Sequence, residues 1–254
     1  MSIGLYTPIL IQEKTVLEPS RHPRGFTIIE LLVTIAIIAV LVAIATPAIL
    51  KANTAAQEVK CLTNIRSIGQ ATLLYTNDHT QNFPVGLGND LNLLNLVGKR
   101  GTNNGIGGVE PEDRLLYDYV NQQTDIAACP LDIGFDNSLS CFDLYGSSYL
   151  YMDSNTNSPT TRYRGRNDIW SLEGHRTTRV TAPKKKMLIG EATVIRASSN
   201  PNHHWHNDEA NLKGSMSFVD GHAEVVEHKT DENGRYRNYN RATIEGWATQ
   251  DDYY

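Results

Sequence analysis

Charge is what this chain has least of where a water-exposed helix would need it most. Between Phe26 and Leu50 the 254-residue sequence carries one ionisable side chain, Glu30. Cysteine is scarce too: Cys61, Cys129 and Cys141 are the three present. Three cysteines exclude a small scaffold held together by many disulfides, and no Cys-x-x-Cys spacing marks a local metal knuckle. No excess of basic residues exists, the formal net charge being −5. That balance argues against a dedicated nucleic-acid binder, which needs cationic contacts to phosphate. There is no glycine loop of the kind that cradles phosphate and no placed Ser/His/Asp arrangement, so the reading is not an enzyme.

What is present begins with Arg24-Gly25-Phe26-Thr27-Ile28-Ile29-Glu30 and an apolar run to Leu50. As a helix at about 1.5 Å per residue, these residues span roughly 37 Å, enough for a bilayer core of about 30 Å. A lone carboxylate costs roughly 2.5–3.5 kcal/mol near the bilayer centre and less near an interface. A plain anchor gains nothing from Glu30. Arg21 and Arg24 precede the span, which keeps residues 1–25 cytoplasmic and exports the domain beyond the span.

The sequence Gly-Phe-Thr-Ile-Ile-Glu followed by an apolar helix resembles the prepilin signal of type IV pilins and type II secretion pseudopilins. The resemblance implies cleavage after Gly25 by a membrane peptidase and methylation of Phe26 as the new first residue. It makes Glu30 the acidic fifth residue, thought in that family to meet a neighbouring subunit's N-terminal amine during assembly. Pro47 falls where the family often has a proline, and would kink or locally melt a helix.

Beyond Pro47 an apolar stripe recurs every three or four positions: Ile49, Ala52, Ala56, Val59, Leu62, Ile65, Ile68, Thr72 and Tyr75. The helix is therefore expected to run for about 50 residues, roughly 75 Å, and to stop near Asn77-Asp78. Residues 86–108 are rich in Gly and Asn and read as a surface excursion. Pro111 opens an expected short helix with Leu115, Leu116, Tyr119 and Val120 inward. Strands are expected at Ser147–Met152, Ile169–Leu172 and Lys186–Glu191. Ser215–Val219 and His222–Glu227 read as a hairpin around a two-residue Asp220-Gly221 turn. The tail from Asp231 shows weak periodicity.

The expected fold is α+β, pilin-like: a long N-terminal helix packed on a small C-terminal antiparallel sheet. The expected divisions are a leader over 1–25, a membrane and assembly helix over 26–50, its amphipathic continuation over 51–80, and an exported domain over 81–254. Cys61-Leu62-Thr63-Asn64-Ile65-Arg66-Ser67-Ile68-Gly69, Cys129-Pro130-Leu131-Asp132 and the Phe218–Glu224 hairpin are also similar to blocks of a bacterial prepilin-type group. The signature of that group is a histidine, nine residues, then Asp-Gly. Here Asp220-Gly221 is present but Ala210 holds the histidine position, and His206 lies further upstream.

Several readings stay open. Cys129 with Cys141 would close a short loop, whereas Cys61 with Cys129 would pin the helix to the domain. His203, His204, His206 and His222 lie near Asp208, Glu209, Asp220 and Glu224, a transition-metal donor set in no known catalytic spacing. The resemblance to major pseudopilins suggests calcium, for which Asp208 and Asp220 offer oxygen ligands, although Asp220 also suits a turn. Lys184-Lys185-Lys186 reads as a solvated approach to a strand. The family implies self-assembly with other pilins into a secretion pseudopilus or pilus-like filament, a prepilin peptidase, an assembly platform and the bacterial inner membrane as partners. The alternative is a membrane-tethered module whose loops capture a polysaccharide or a protein.

Overall fold

A computed structural model describes residues 25–85, 96–103, 108–134, 139–151, 172–192, 205–206 and 212–228. The chain divides into two units, Met1–Ile49 and Leu50–Tyr254. One helix, α1, runs over Ile28–Asp78 and contributes to both. Its first turn is secured locally: Thr27 N and Thr27 Oγ1 each donate to Glu30 Oε2 at 2.9 Å. Glu30 N donates back to Thr27 Oγ1 at 3.2 Å. This reciprocal pair is a capping box, which satisfies amide groups that a helix start leaves without partners.

The helix is unbroken across Pro47, so the local melting that its missing N–H allows does not occur. One absent bond in a helix of 51 residues does not end it. The preceding Thr46 also turns its hydroxyl inward, donating to Val42 O at 2.7 Å. In the first unit the apolar side chains from Ile28 to Ile49 are all exposed.

In the second unit, α1 buries Cys61, Asn64, Ile65, Ile68, Gly69, Ala71, Thr72 and Thr76. The observed stripe thus begins later than the sequence periodicity suggested. Ile49 is 65% and Val59 63% exposed, and Ala52 and Ala56 are exposed as well. Periodicity reports which side of a helix is apolar, not how far along it a partner surface reaches.

That partner is a four-stranded antiparallel sheet in the order β1-β2-β3-β4, with β1 Tyr149–Tyr151, β2 Met187–Glu191, β3 Leu212–Phe218 and β4 Ala223–His228. Tyr149 pairs with Glu191, Ile189 with Ser217, and Ser217 with Ala223. The β2–β3 register shifts between Met187 and Ile189. At Gly69 α1 packs tightly on β3: a Cβ there would lie 2.7 Å from Ser217 Oγ and 3.0 Å from Ser217 Cβ. The core between helix and sheet holds Ile65, Ile68, Leu150, Leu188, Met216 and Phe218.

The β3–β4 connection differs from the expected two-residue turn. Phe218 N donates to His222 O and Gly221 N to Phe218 O, both at 2.9 Å. The loop is therefore three residues, with Gly221 at φ 91° as its left-handed member and Asp220 outside that region. The expected helix after Pro111 resolves into two 3₁₀ turns, Pro111–Asp113 and Asp118–Val120, with Leu116 and Val120 buried. A short helix, α2 Cys141–Tyr145, is capped by Ser140 Oγ accepting from Asp143 N at 2.9 Å. The expected strand at 169–172 lies outside the described residues apart from buried Leu172, which is not in a strand. Lys186 corrects the solvated-run reading: Lys184 and Lys185 are exposed, but Lys186 is fully buried.

Candidate functional site

Two places in the chain concentrate chemistry. The first is the start of α1. Gly25 and Phe26 precede the helix and are exposed, and nothing lies within 4 Å of a Cβ built on Gly25. Glu30 is the one carboxylate on the apolar surface. Its Oε2 receives both Thr27 donors, whereas Oε1 takes no hydrogen bond among the described residues. The Thr27-x-x-Glu30 spacing is a capping-box signal legible in sequence, although the family resemblance assigns Glu30 an assembly role alone.

The second is a buried cluster in the domain. Cys61 on α1 is disulfide-bonded to Cys129, with Cα atoms 5.0 Å apart, and Cys141 remains a buried thiol outside the bridge. Of the two pairings open in the sequence, the long-range one is the one made. Its geometry is prepared on both sides. Asn64 Nδ2 donates to Ala128 O at 2.9 Å, one turn along α1 from Cys61. Cys129 N donates to Ser148 Oγ at 3.0 Å, and Ser148 Oγ donates to Asp132 Oδ2 at 2.6 Å. Asp132 also accepts from the amides of Gly134, Cys141 and Phe142. Burial pushes its carboxyl upward against the pull of those donors, and the net displacement is upward.

Two further groups face the bridge. Glu191 ends β2 and is fully buried; His206, 3% exposed, lies beside buried Trp205, whose indole donates to Gly134 O at 3.2 Å. His206 Nε2 is 2.9 Å from Glu191 Oε1 and 3.5 Å from Cys129 Sγ. Burial opposes the charged imidazole, but contact with Glu191, its charge and a smaller effect of Glu58 outweigh it, so His206 is displaced upward. Glu191 Oε2 and His206 Nδ1 have no hydrogen-bond partner among the described residues. The sequence signalled His206 only as one histidine in a polar loop. Nothing local pairs it with Glu191, fifteen positions upstream.

Of the other expected ligands, those among the described residues, Asp220, His222 and Glu224, do not join this cluster. Asp220 accepts from His222 N at 3.2 Å and also contacts His222 Nδ1, and His222 stacks on Phe218 with ring centroids 4.3 Å apart. Its carboxylate is thus engaged within the hairpin. Asp208, Glu209, His203 and His204 lie outside the described residues. Arg114 is a buried cation that nothing in the local sequence signals; its guanidinium donates to Val97 O at 3.3 Å and to Lys99 O, and burial lowers its pKa to about 10.

A long apolar N-terminal helix with a capped carboxylate, continuing onto a small antiparallel sheet, defines an α+β pilin-like protein. Residues 20–46 match the family described as the prokaryotic N-terminal methylation motif, which supports the resemblance of that segment to the N-termini of type IV pilins and pseudopilins. No curated protein and no solved structure matches the chain.

Proposed function

We propose that the chain is a structural subunit of a type II secretion pseudopilus or type IV pilus-like filament. Residues 1–25 are a cytoplasmic leader removed after Gly25, and Phe26 becomes the methylated N-terminus. Residues 26–50 hold the subunit in the bacterial inner membrane until assembly, and the domain after residue 80 is exported. The observation that supports this reading most directly is the exposed apolar surface from Ile28 to Leu50, broken by a single carboxylate. Burying such a surface against lipid, and then against equivalent helices, removes it from water in both states.

Glu30 has two compatible uses. Capping occupies Oε2, and Oε1 stays available to the Phe26 amine of a neighbouring subunit. Comparing Glu30→Ala with Thr27→Val separates them. Both remove the capping box, but only the first removes the charge. Under this proposal Glu30→Ala inserts and is cleaved yet does not assemble, while Thr27→Val does all three. Equal loss of filaments in the two variants would reduce Glu30 to a cap. Replacing Gly25 with a bulky residue is expected to leave an uncut band on a gel. Microscopy of the cell surface together with a secretion assay tells a pilus from a secretion pseudopilus.

A further inference from the structure

The buried cluster contains more ligand chemistry than a disulfide needs. Cys61 Sγ, Cys129 Sγ, a Glu191 carboxylate oxygen and a His206 ring nitrogen all lie within 4.8 Å of one another, and all four residues are buried. They arrive from four places in the chain: α1, the loop after the 3₁₀ turn Thr124–Ala127, the end of β2, and the Trp205-His206 turn. Against the disulfide the imidazole makes one 3.5 Å contact, from His206 Nε2 to Cys129 Sγ, and Glu191 Oε2 and His206 Nδ1 keep no hydrogen-bond partner among the described residues. Buried polar atoms in that condition are uncommon and call for an explanation.

We propose that the dithiol form of this protein binds one Zn²⁺ through Cys61, Cys129, Glu191 and His206. Two thiolates, one imidazole and one carboxylate form a borderline-soft set that suits Zn²⁺ and is poor for calcium or magnesium. Zinc bonds of about 2.0–2.3 Å in a tetrahedron place neighbouring ligand atoms roughly 3.3–3.8 Å apart. The His206–Cys129 contact of 3.5 Å already falls there, and the His206–Glu191 contact of 2.9 Å needs a small opening. The two sulfurs must part by roughly 1.7 Å from bonding distance. Full burial makes the site closed, the mark of a structural rather than a catalytic zinc.

The site and the disulfide exclude each other, because the same two sulfurs serve both. Reaching the dithiol from the disulfide takes two electrons and two protons, supplied by a phosphine that becomes its oxide with an oxygen from water. As zinc binds, the two thiols release their protons. A newly exported chain is already a dithiol, so the metal would hold α1 against the domain before the bridge forms. The proposal does not depend on the filament reading.

The test uses the full-length chain in detergent, with and without phosphine reduction, titrated with Zn²⁺ against a chromophoric chelator and with Co²⁺ as a spectroscopic probe. One equivalent is expected to bind to the reduced chain, with tetrahedral cobalt bands and thiolate-to-cobalt charge transfer, and none to the oxidised chain. His206→Ala and Glu191→Gln should each weaken binding by at least about tenfold, and the Cys61→Ser/Cys129→Ser double variant, which retains Cys141, should abolish it. Circular dichroism covers the case in which reduction unfolds the domain: recovery on adding zinc supports the site, and no recovery counts against it. Binding no tighter than in the double-serine variant, or cobalt spectra unchanged by the His206 and Glu191 substitutions, would overturn the proposal.

Discussion

The two halves of α1 differ in how densely they carry apolar residues and treat them in opposite ways. From Ile28 to Ile49 every apolar side chain is exposed; from Cys61 to Thr76 one face is buried under a sheet and loops. The first half is apolar around its whole circumference, with Ile, Leu, Val and Ala in nearly every position. Such a helix finds no stable state in water and needs a lipid or helical partner. The second half places polar residues such as Lys60, Arg66 and Gln70 outward and keeps a narrow face for the domain. One continuous helix therefore serves two environments, and the change of pattern along it marks the transition.

That contrast can be broken most severely at the disulfide. Cys61 and Cys129 close a loop with a sequence separation of 68, for which chain entropy gives about 4 kcal/mol of stabilisation. Replacing both by serine should lower the denaturant midpoint of the domain by a corresponding amount, with membrane insertion unchanged. Next comes a matched pair of truncations. Ile65→Ala removes a fully buried side chain and should destabilise the domain by about 2–5 kcal/mol. Ile38→Ala, at an exposed position, should leave the domain's melting temperature in place and instead reduce filament yield. If the two variants melted alike, the division of labour along α1 would fail.

Gly69→Ala is a finer probe, because the new methyl meets Ser217 at 2.7–3.0 Å. A loss of about 1–3 kcal/mol is expected, partly recovered by adding Ser217→Gly. At the other end, Thr27→Val should cost about 0.5–2 kcal/mol confined to the first helical turn, visible as faster amide exchange at residues 28–31 without a change in domain melting. The smallest effect concerns acid. The Lys99 contact and Ser140 hold the Asp143 carboxyl below its usual value, against a minor opposing desolvation. Its stabilising contribution is complete above the unfolded value near 3.8 and fades as pH falls through the lower folded one. Asp143→Asn should therefore flatten the acid limb of domain stability slightly, while Ile38→Ala leaves that limb unchanged.

Local signals were legible wherever one segment carried its own reason. The helix was expected to end at Asn77-Asp78, and α1 ends at Asp78; Lys186–Glu191 was expected as a strand, and β2 is Met187–Glu191. The hairpin was visible because Gly221 supplies the positive φ, but its loop length was not, since two- and three-residue loops share the same Asp-Gly signal. The long-range choices were not legible at all. Nothing near Cys129 tells whether it bonds Cys61 or Cys141, and the decision falls to Asn64 and Ser148, which position the loop beside α1. Lys186 and Arg114 look solvated by type, yet both are buried.

The amino-acid sequence by itself determined the N-terminal segment of this protein: a match to the prokaryotic N-terminal methylation motif, an apolar helix long enough for a membrane, and one carboxylate at its start. Those properties depend on neighbours within a few residues, so adjacent side chains suffice to encode them. Tertiary structure decided the rest. Glu191, His206 and the two cysteines become a buried cluster only when α1, the loop around Cys129, β2 and the Trp205-His206 turn close around a common core. Burial and proximity between distant positions are properties of packing, and no single stretch of the chain contains them.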